Sequence, residues 1–418
     1  MSIRTLRGMR DILPDEIPLW QEVEAKAREL FSLYGYEEIR TPLLEELSLF
    51  SRSLGDTTNV VEKEMYSFQD KGEKMIALRP EGTASVVRAY IEGGQVVREP
   101  VVRYYYIGPM YRRERPQQGR FREFHQIGVE AFGIASPLLD AEVIHMLDLY
   151  LKSLGLLDLE TEINSLGCPI CRPKYHKAFH DFLLQNQAVL CEDCKRRMDK
   201  NPLRVLDCKE EDCRKLTEEA PSIQDHLCEV CEKDFDLVLE TLGHLGSAYK
   251  VNPRIVRGLD YYIKTTFEMT STQLGSQCAV AGGGRYDGLV RLMGGPNIPG
   301  FGFAIGQERL IELMKTGCTV QASKKSVFIA ALGERAVREG IQLAEKLRKE
   351  GLRADIDYEG KSLKAQMRFA DRSKAHYVVI LGDDELKKKA VVIRDMTSQN
   401  QEEVALNKVI DYLKERKV

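Results

Sequence analysis

Five arginines fall within residues 111–126, which read YRRERPQQGRFREFHQ. A guanidinium group is planar, permanently charged and able to bind phosphate or carboxylate oxygens in pairs. The same stretch also carries polar groups of other kinds, among them Glu114 and Gln126. A stiff surface that combines guanidinium, amide and carboxylate groups is suited to hold a triphosphate beside a small polar substrate.

The segments around these arginines predict a long antiparallel hairpin. Residues 101–111 and 119–133 are rich in aromatic and β-branched side chains, and Pro116 and Gly119 mark a loop between them. Successive side chains of a strand point to opposite faces. The even-numbered Arg112, Glu114, Gln126 and Glu130 therefore fall on common faces of their strands.

Cysteine spacing indicates a second kind of site. Cys168-x₂-Cys171 and Cys191-x₂-Cys194 are nineteen residues apart, which fits a four-thiolate zinc site. A second set is possible among the remaining nearby cysteines, Cys208, Cys213, Cys228 and Cys231. Four protein ligands leave no open position on the metal, so the predicted role is structural.

The bulk composition predicts an ordinary globular protein of two or three domains. The chain has 418 residues, of which 43% are hydrophobic and 30% charged. No apolar run approaches the roughly 18 residues of a membrane span. The N-terminus MSIRTLRGMRDILPDE has no apolar signal-peptide core. We therefore expect a cytoplasmic protein whose ten cysteines are reduced thiols or metal ligands.

Charge is distributed unevenly along the chain. The net charge of −3 argues against indiscriminate coating of nucleic acid. From Lys324 onward there are 21 basic and 16 acidic residues, a net of 21 − 16 = +5, and the remainder carries 40 − 48 = −8. A basic C-terminal module fits local contact with a polyanion, but surface lysines that serve only solubility fit equally well.

The N-terminal part of the chain alternates between helical and extended patterns. Apolar spacing predicts a first helix that Gly35 ends, then an extended segment around Pro42 and a short strand pair. Further helices are predicted from Thr83 and over residues 141–154. Strand patterns return in RGLDYYIKTTFEMT and QCAVAGG, and GFGFAIGQERLIELM leads from a strand directly into a helix.

Two composition changes predict the domain boundaries. Residues 164–245 hold eight of the ten cysteines and several amphipathic helices, so they form a predicted insertion domain. The surrounding domain is then 1–163 and 246–318. After a predicted linker at 317–326, β and α patterns alternate over 325–418, which predicts a small α/β domain.

Several motifs in order along the chain resemble one enzyme family. GPMYRRERPQQGRFREFHQIGVE resembles motif 2 of the class II aminoacyl-tRNA synthetases, in the form found in the bacterial type of the histidyl-tRNA synthetase family. YGYEEIRTPLLEE resembles motif 1, and GFAIGQERL resembles motif 3 with its arginine at Arg309. ALRPEGTASVVR, RGLDYY and AGGGRYDGL resemble the histidine-specific elements, and the C-terminal α/β segment resembles the anticodon-binding domain.

The resemblance implies a fold and an activity. The fold is an α+β catalytic domain built on an antiparallel sheet, with a mainly helical insertion and a C-terminal α/β anticodon-binding domain. The activity is ATP-dependent ligation of L-histidine to the 3′ end of tRNA(His) through a histidyl-adenylate, with release of AMP and diphosphate. Mg²⁺ would accompany ATP. The protein would be a cytoplasmic homodimer without membrane contact.

The resemblance also assigns the phosphate-binding residues. Arg112 would hold the α-phosphate and the substrate carboxylate, and Glu114 would orient ATP on its adenine side. Arg257 would reach the α-phosphate from the far side, and Arg309 would bind the γ-phosphate. Arg120 and Arg122, beside them, either reach a phosphate or point to solvent.

The implied histidine pocket draws on three motifs. Glu81, Thr83 and Gln126 match contacts to the backbone end of histidine, and Glu130 and Tyr262 match contacts to the imidazole. The full predicted set is Glu81, Gly82, Thr83, Arg112, Gln126, Glu130, Arg257, Tyr261 and Tyr262, with glycines 282–284 as the floor. A site that bonds both ring nitrogens rejects analogues that lack them, by about 10⁴–10⁵.

Two other interpretations fit part of the sequence. One is the non-catalytic paralogue that regulates ATP phosphoribosyltransferase, which lacks the anticodon-binding domain and some catalytic residues. The other is a zinc-dependent nucleic-acid-binding module without catalysis. The presence of Arg112, Arg257, Arg309 and the C-terminal domain together favours the enzyme. The family does not generally require zinc, so the resemblance leaves the cysteine site open.

Overall fold

The computed structural model describes residues 3–55, 58, 60–115, 119–274, 279–317 and 326–416. The chain divides into two compact units, Met1–Thr319 and Val320–Val418. Pro116, Cys278 and most of the predicted linker lie outside the described residues. None of the described helices is both long and apolar enough to cross a membrane.

An eight-stranded sheet forms the centre of the first unit. The strands of this unit are β1 (Glu37–Glu38), β2 (Leu44–Glu46), β3 (Ser67–Gln69), β4 (Met75–Leu78), β5 (Val102–Tyr111), β6 (Glu123–Phe132), β7 (Glu160–Ser165), β8 (Lys250–Val251), β9 (Ile263–Thr270), β10 (Ala279–Arg285) and β11 (Gly300–Gly306). The large sheet has the order β1-β5-β6-β11-β10-β9-β7-β8, and β2-β4-β3 form a smaller one. Only the outer pairs β1–β5 and β7–β8 are parallel, so the predicted antiparallel sheet is confirmed.

Helices pack against this sheet and build the insertion. They are α1 (Ile17–Leu33), α2 (Leu47–Leu54), α3 (Thr83–Glu92), α4 (Gln95–Arg98), α5 (Pro137–Ser153), α6 (Arg172–Gln185), α7 (Glu192–Lys200), α8 (Glu211–Glu218), α9 (Glu229–His244), α10 (Leu289–Leu292) and α11 (Gln307–Gly317). Helix α5 begins earlier than predicted because the Ser136 side chain accepts from the Leu138 N–H and Pro137 takes the first position.

The predicted hairpin is confirmed, and its register explains which side chains are available. Strands β5 and β6 pair antiparallel, with Gly108 opposite Gln126 and Tyr104 opposite Glu130. The odd-numbered residues Ile127, Val129 and Ala131 pack in the hydrophobic cluster that α1 and α5 share. Gln126 and Glu130 therefore face the opposite side of the sheet, toward α3.

The insertion is mainly helical, as predicted, and has its own small core. Side chains from α6 to α8 and the turns between them meet in one cluster around Phe179, Leu183 and Met198. Helix α9 instead contributes Phe235 and Val238 to the large cluster beneath the sheet. The boundaries at 164 and 245 stay predictions.

The second unit is a five-stranded α/β domain. Its elements are β12 (Ser326–Ala331), α12 (Glu334–Lys349), β13 (Arg353–Ile356), α13 (Leu363–Arg372), β14 (Tyr377–Leu381), α14 (Asp383–Lys388), β15 (Ala390–Asp395), β16 (Gln401–Ala405) and α15 (Val409–Glu415). The order is β13-β12-β14-β15-β16, parallel over the first three strands and antiparallel beyond. Strand β16 was not predicted because QEEVA buries only Val404.

Candidate active site

A cleft over β6, β10 and β11 brings together most of the predicted site residues. Nine of the eleven residues predicted for substrate and ATP line it: Glu81, Thr83, Arg112, Glu114, Gln126, Arg257, Tyr261, Tyr262 and Arg309. The other two, Gly82 and Glu130, are not among the residues that line it. Arg120 also lines the cleft, so four arginines converge on one cavity.

The arginines of the cleft are held by oxygen atoms of the protein. The Nε atom of Arg112 donates to the Pro80 carbonyl at 2.9 Å, and its guanidinium lies 5.3 Å from the ring centre of Phe124. Arg257 donates from Nη1 to Glu268 at 2.5 Å. Arg309 donates from Nη1 to the Ala279 carbonyl. These contacts fix the side chains and leave other donor nitrogens for a ligand.

The positive charges are crowded. Burial lowers the pKa of Arg309, and the nearby positive charge of Arg120 lowers it further. The buried Nε atom of Arg257 has no hydrogen-bond partner among the described residues. Guanidinium groups that are buried close to one another are stabilised by a bound polyanion, so the cleft is suited to a polyphosphate.

Two carboxyl groups accompany these arginines. Glu114 accepts from Arg120 at 2.8 Å, and its other oxygen lies 4.0 Å from Arg112 Nη1. Burial and the negative charge of Glu114 raise the pKa of Glu64. Carboxylates next to a polyphosphate site are the protein groups that usually hold Mg²⁺. Glu64 is not among the predicted residues, because no motif marks it.

Glu81 is oriented by the first turn of α3. Its carboxylate accepts from the backbone N–H groups of Thr83 at 2.7 Å and Ala84 at 2.9 Å. Burial raises the pKa of Glu81, and these N–H donors act in the opposite direction. The Glu81 carboxylate is therefore an acceptor with a fixed position, suited to a cationic group at the α3 end of the cleft.

Glu130 lies at the centre of a buried hydroxyl network. One carboxyl oxygen accepts from the Thr83 hydroxyl at 2.6 Å, and the other accepts from the hydroxyl of Tyr286. Burial raises the pKa of Glu130 to about 8, although the hydroxyls of Thr83 and Tyr286 lower it. The carboxyl group is therefore largely protonated near neutral pH.

Tyr286 is a site residue that was not predicted. It is fully buried, binds Glu130, and its ring packs 5.7 Å from Tyr261 and 6.3 Å from Tyr262. The signal was present, since Tyr286 follows the GGGR run within a histidine-specific motif. The glycines of that run are predicted to form the floor of the pocket, but no role is predicted for Tyr286.

Glycines make room for two of these side chains. A Cβ atom at Gly282 would lie within 3.0 Å of Arg257 Nη2, so glycine lets the guanidinium rest on the sheet. A Cβ atom at Gly82 would collide with the ring of Tyr106. The hydroxyl of Tyr106 and the Oε1 atom of Gln126 are buried without a partner among the described residues. Gln126 lines the cleft, so its Oε1 atom is available to a polar ligand.

The cysteines group differently from the prediction. Cys168 and Cys171 meet Cys228 and Cys231, whereas Cys191 and Cys194 meet Cys208 and Cys213. The predicted grouping of Cys168, Cys171, Cys191 and Cys194 is therefore wrong, and so is the second set of Cys208, Cys213, Cys228 and Cys231. The reason is that α6 occupies the gap between the two motifs, and its 14 residues carry the chain about 21 Å away. The start of α9 then returns beside Cys168.

The architecture and the cleft define the class of protein. An antiparallel sheet that carries arginines from a long hairpin, and from a strand followed directly by a helix, is the catalytic domain of a class II aminoacyl-tRNA synthetase. The family model described as Histidyl-tRNA synthetase matches residues 8–168 and 201–310, and the Anticodon binding domain model matches 326–416. The chain belongs to the histidyl-tRNA synthetase family, so the resemblance seen in the motifs is confirmed.

Individual proteins agree with this assignment. The Histidine--tRNA ligase of Geobacter sulfurreducens is 52% identical over 404 residues, covering 97% of each chain. That of Thermodesulfovibrio yellowstonii is 49% identical over 416 residues, covering 100% of this chain and 99% of its own. The crystal structure of apo S. aureus histidyl-tRNA synthetase matches 99% of this chain and 100% of its own, with 36% identity and a TM-score of 0.83.

The buried carboxyl of Glu130 predicts a specific pH dependence of stability. Its pKa is about 8 in the folded protein and near 4.5 when solvated, so between these values the folded state holds a proton that the unfolded state has released. The free energy of unfolding therefore falls as pH rises through this window. Glu130→Gln removes the titrating carboxyl group and with it this pH dependence. We therefore expect the Tm of the wild type to drop relative to that of the variant between pH 5 and pH 8.

Fluorescence provides a local readout for this experiment. Trp20 is the single tryptophan of the chain and is buried in the core of the first unit. Thermal melts followed by its emission report the unfolding of that unit. Glu240→Gln, at an exposed position, is the matched control. The difference in Tm between this variant and the wild type should stay constant from pH 5 to pH 8. A constant difference for Glu130→Gln as well would contradict the assignment of the raised pKa.

Proposed function

We propose that this chain ligates L-histidine to the 3′ end of its cognate tRNA in an ATP-dependent reaction through a histidyl-adenylate. AMP and diphosphate are the released products. The observation that supports this most directly is the convergence of Arg112, Arg257 and Arg309 with Glu81 and the tyrosine pocket in one cleft. Phosphate-binding groups and amino-acid-binding groups then share a single reaction volume.

The first step needs alignment more than acid–base chemistry. The histidine carboxylate attacks the α-phosphorus of ATP, the bond to the β-phosphate oxygen breaks, and diphosphate leaves. The carboxylate is already a nucleophile, so no general base is required. Negative charge that develops at phosphorus is stabilised by Arg112 and Arg257, which are fixed before the substrates bind, while Arg309 holds the γ-phosphate.

The histidine pocket would recognise both ends of the amino acid. Glu81 accepts from the ammonium group, and Gln126 and Thr83 complete that end. Around the imidazole, the Glu130 carboxyl group would form a hydrogen bond with one ring nitrogen, and the Tyr262 hydroxyl would form one with the other. Because Tyr286 and Thr83 already bind Glu130, its carboxyl group has a fixed position when the ring enters. An amino acid without ring nitrogens would leave these buried groups unpaired.

Metal ions enter this proposal in two places. Mg²⁺ bound with ATP would supply neutralisation of phosphate charge, and Glu114 with Glu64 are the carboxyl groups beside the arginines that fit it. We assign a structural Zn²⁺ to the insertion, on the cysteine groups as the structure pairs them.

The second unit would contact tRNA through one face of α13. Lys364, Arg368 and Arg372 follow one another at four-residue spacing, and all three are exposed. The aromatic side chain of Phe369 is 44% exposed on the same helix, and Tyr358 before it is 64% exposed. Cations for phosphates and exposed rings for unstacked bases are what single-stranded RNA loops require.

The working form would be a cytoplasmic homodimer. Motif 1 contains two exposed leucines, Leu43 and Leu44, and Leu44 is the first residue of the edge strand β2. Such side chains suit contact with a second copy. Light scattering after gel filtration would then give 2 × 47.6 = 95.2 kDa. A mass of one chain would contradict the dimer.

Arg257→Lys tests the role of the guanidinium in adenylate formation. Lysine keeps the charge but cannot bind Glu268 and a phosphate with the same planar group. We expect kcat/KM for histidine-dependent ATP–diphosphate exchange to fall about 10²–10³-fold, roughly 2.7–4 kcal/mol. The exposed Arg98→Lys is the matched control, with no change. An unaffected rate for Arg257→Lys contradicts the role, and a wild type without exchange favours a regulatory or binding protein.

Substitutions on α13 test the tRNA contact separately. Lys364→Ala, Arg368→Ala and Arg372→Ala should each weaken tRNA(His) binding and reduce the slope of log K against log salt by about 1. Fluorescence anisotropy at several KCl concentrations measures both. ATP–diphosphate exchange does not use tRNA and should stay unchanged. The exposed Lys346→Ala on α12 is the control, and equal losses for it would disprove a specific α13 surface.

A further inference from the structure

Four cysteines meet where the insertion leaves and rejoins the catalytic part of the chain. Cys168 and Cys171 lie in the loop after β7, and Cys228 and Cys231 lie at the start of α9. Their sulfur atoms all lie within 4.8 Å of one another, with Cys168 at 3.6 Å from Cys171 and 3.9 Å from Cys228. Ligands at 2.3 Å from a tetrahedral Zn²⁺ are separated by about 3.8 Å.

Backbone groups around these sulfurs favour thiolates. The N–H of Ile170 donates to the Cys168 sulfur at 3.3 Å, and the N–H of Cys228 donates to the Cys171 sulfur at 3.1 Å. Such donors stabilise negative charge on sulfur. A closed tetrahedral set of four thiolates is characteristic of structural Zn²⁺, and iron is the other metal that such a set binds.

The residue after Cys171, Arg172, contacts the backbone of a residue that lines the substrate pocket. The guanidinium of Arg172 donates from Nε to the Leu166 carbonyl at 3.2 Å and from Nη2 to the Tyr262 carbonyl at 2.7 Å. Tyr262 is buried, lines the cleft, and lies 5.5 Å beneath the guanidinium of Arg257. Arg172 therefore connects the cysteine loop directly to the backbone of a pocket residue.

A second set of contacts links Lys264, two residues after Tyr262, to the cysteine loop and to α9. Leu166 N–H donates to the Lys264 carbonyl at 2.7 Å, and Lys264 N–H donates to the Gly167 carbonyl at 2.9 Å. The Lys264 ammonium group pairs with Asp234 of α9 at 3.0 Å. Lys264 has a φ of +49°, a conformation that a lysine keeps only when its surroundings impose it.

We propose that Zn²⁺ bound by Cys168, Cys171, Cys228 and Cys231 is a positioning site for the histidine pocket. The metal joins the cysteine loop to the start of α9, and these two elements hold residues 262–264 through Arg172 and Lys264. The inference rests on the proposed histidine-binding function. It adds that the shape of the histidine pocket depends on the bound metal. Arg172 is a positioning residue, because it acts on the substrate through Tyr262.

The second cysteine group provides a comparison within the same domain. Cys191, Cys194, Cys208 and Cys213 join the start of α7 to the segment before α8 and to the first turn of α8. Arg204, between them, binds the Gly258 carbonyl and the Asp260 carboxylate, each at 2.9 Å. Loss of this group removes one metal ion but leaves the bond from Arg172 to Tyr262.

The experiment combines metal analysis with histidine binding. Elemental mass spectrometry on the full chain should find two zinc ions in the wild type and in Arg172→Ala, and one in Cys228→Ser/Cys231→Ser or Cys208→Ser/Cys213→Ser. Calorimetric titration should show a histidine Kd raised about tenfold or more by Arg172→Ala and Cys228→Ser/Cys231→Ser, with a smaller change in Cys208→Ser/Cys213→Ser. The KM for ATP in exchange should stay near the wild-type value in Arg172→Ala.

The outcomes separate the two proposals. A wild type without zinc, or with iron in its place, overturns the metal site. An unchanged histidine Kd in Arg172→Ala, or a rise in the KM for ATP equal to that in the histidine Kd, overturns the positioning role while the proposed ligase function stands. A wild type that binds no histidine overturns the ligase function itself. Arg214→Ala, exposed on α8, is the arginine control and should match the wild type.

Discussion

The site depends on arginine side chains that protein oxygen atoms hold in place before any substrate binds. Arg112 is held by the Pro80 carbonyl, Arg257 by Glu268, and Arg309 by the Ala279 carbonyl. Donors that are already oriented need no reorganisation when charge develops at phosphorus, and partial burial strengthens their effect. Burial and the nearby charge of Arg120 lower the pKa of Arg309, and a bound polyphosphate would offset the cost of assembling these cations.

The large sheet makes this arrangement possible because one of its faces packs in the core and the other carries the site. One face of β6 packs into the hydrophobic core, and the other presents Gln126 and Glu130. Arg112 follows β5 and Arg309 follows β11 at one end of the sheet, whereas the residues around Tyr262 precede β9 at the other end. The strands therefore deliver groups to the cleft from both ends of the sheet. The buried pair of Arg285 on β10 and Asp140 on α5 ties this sheet to its helical layer.

Much of this site could be predicted because its parts are local in sequence. Strand alternation placed Gln126 and Glu130 on one face, and motif order placed Arg257 and Arg309 in the same cleft. The cysteine grouping could not be predicted, because it depends on where α9 returns after three intervening helices. Glu64 lay beyond prediction for a similar reason, since only the fold brings it near Glu114. Strand β16 lacks the apolar pattern that would mark it.

The most direct test of the account is a crystal structure of the protein with histidine and a non-hydrolysable ATP analogue. The account predicts the α-phosphate within hydrogen-bond distance of Arg112 and Arg257, the γ-phosphate at Arg309, and the imidazole beside Glu130 and Tyr262. A nucleotide or histidine bound in another cavity, or an imidazole directed away from Glu130, would contradict it.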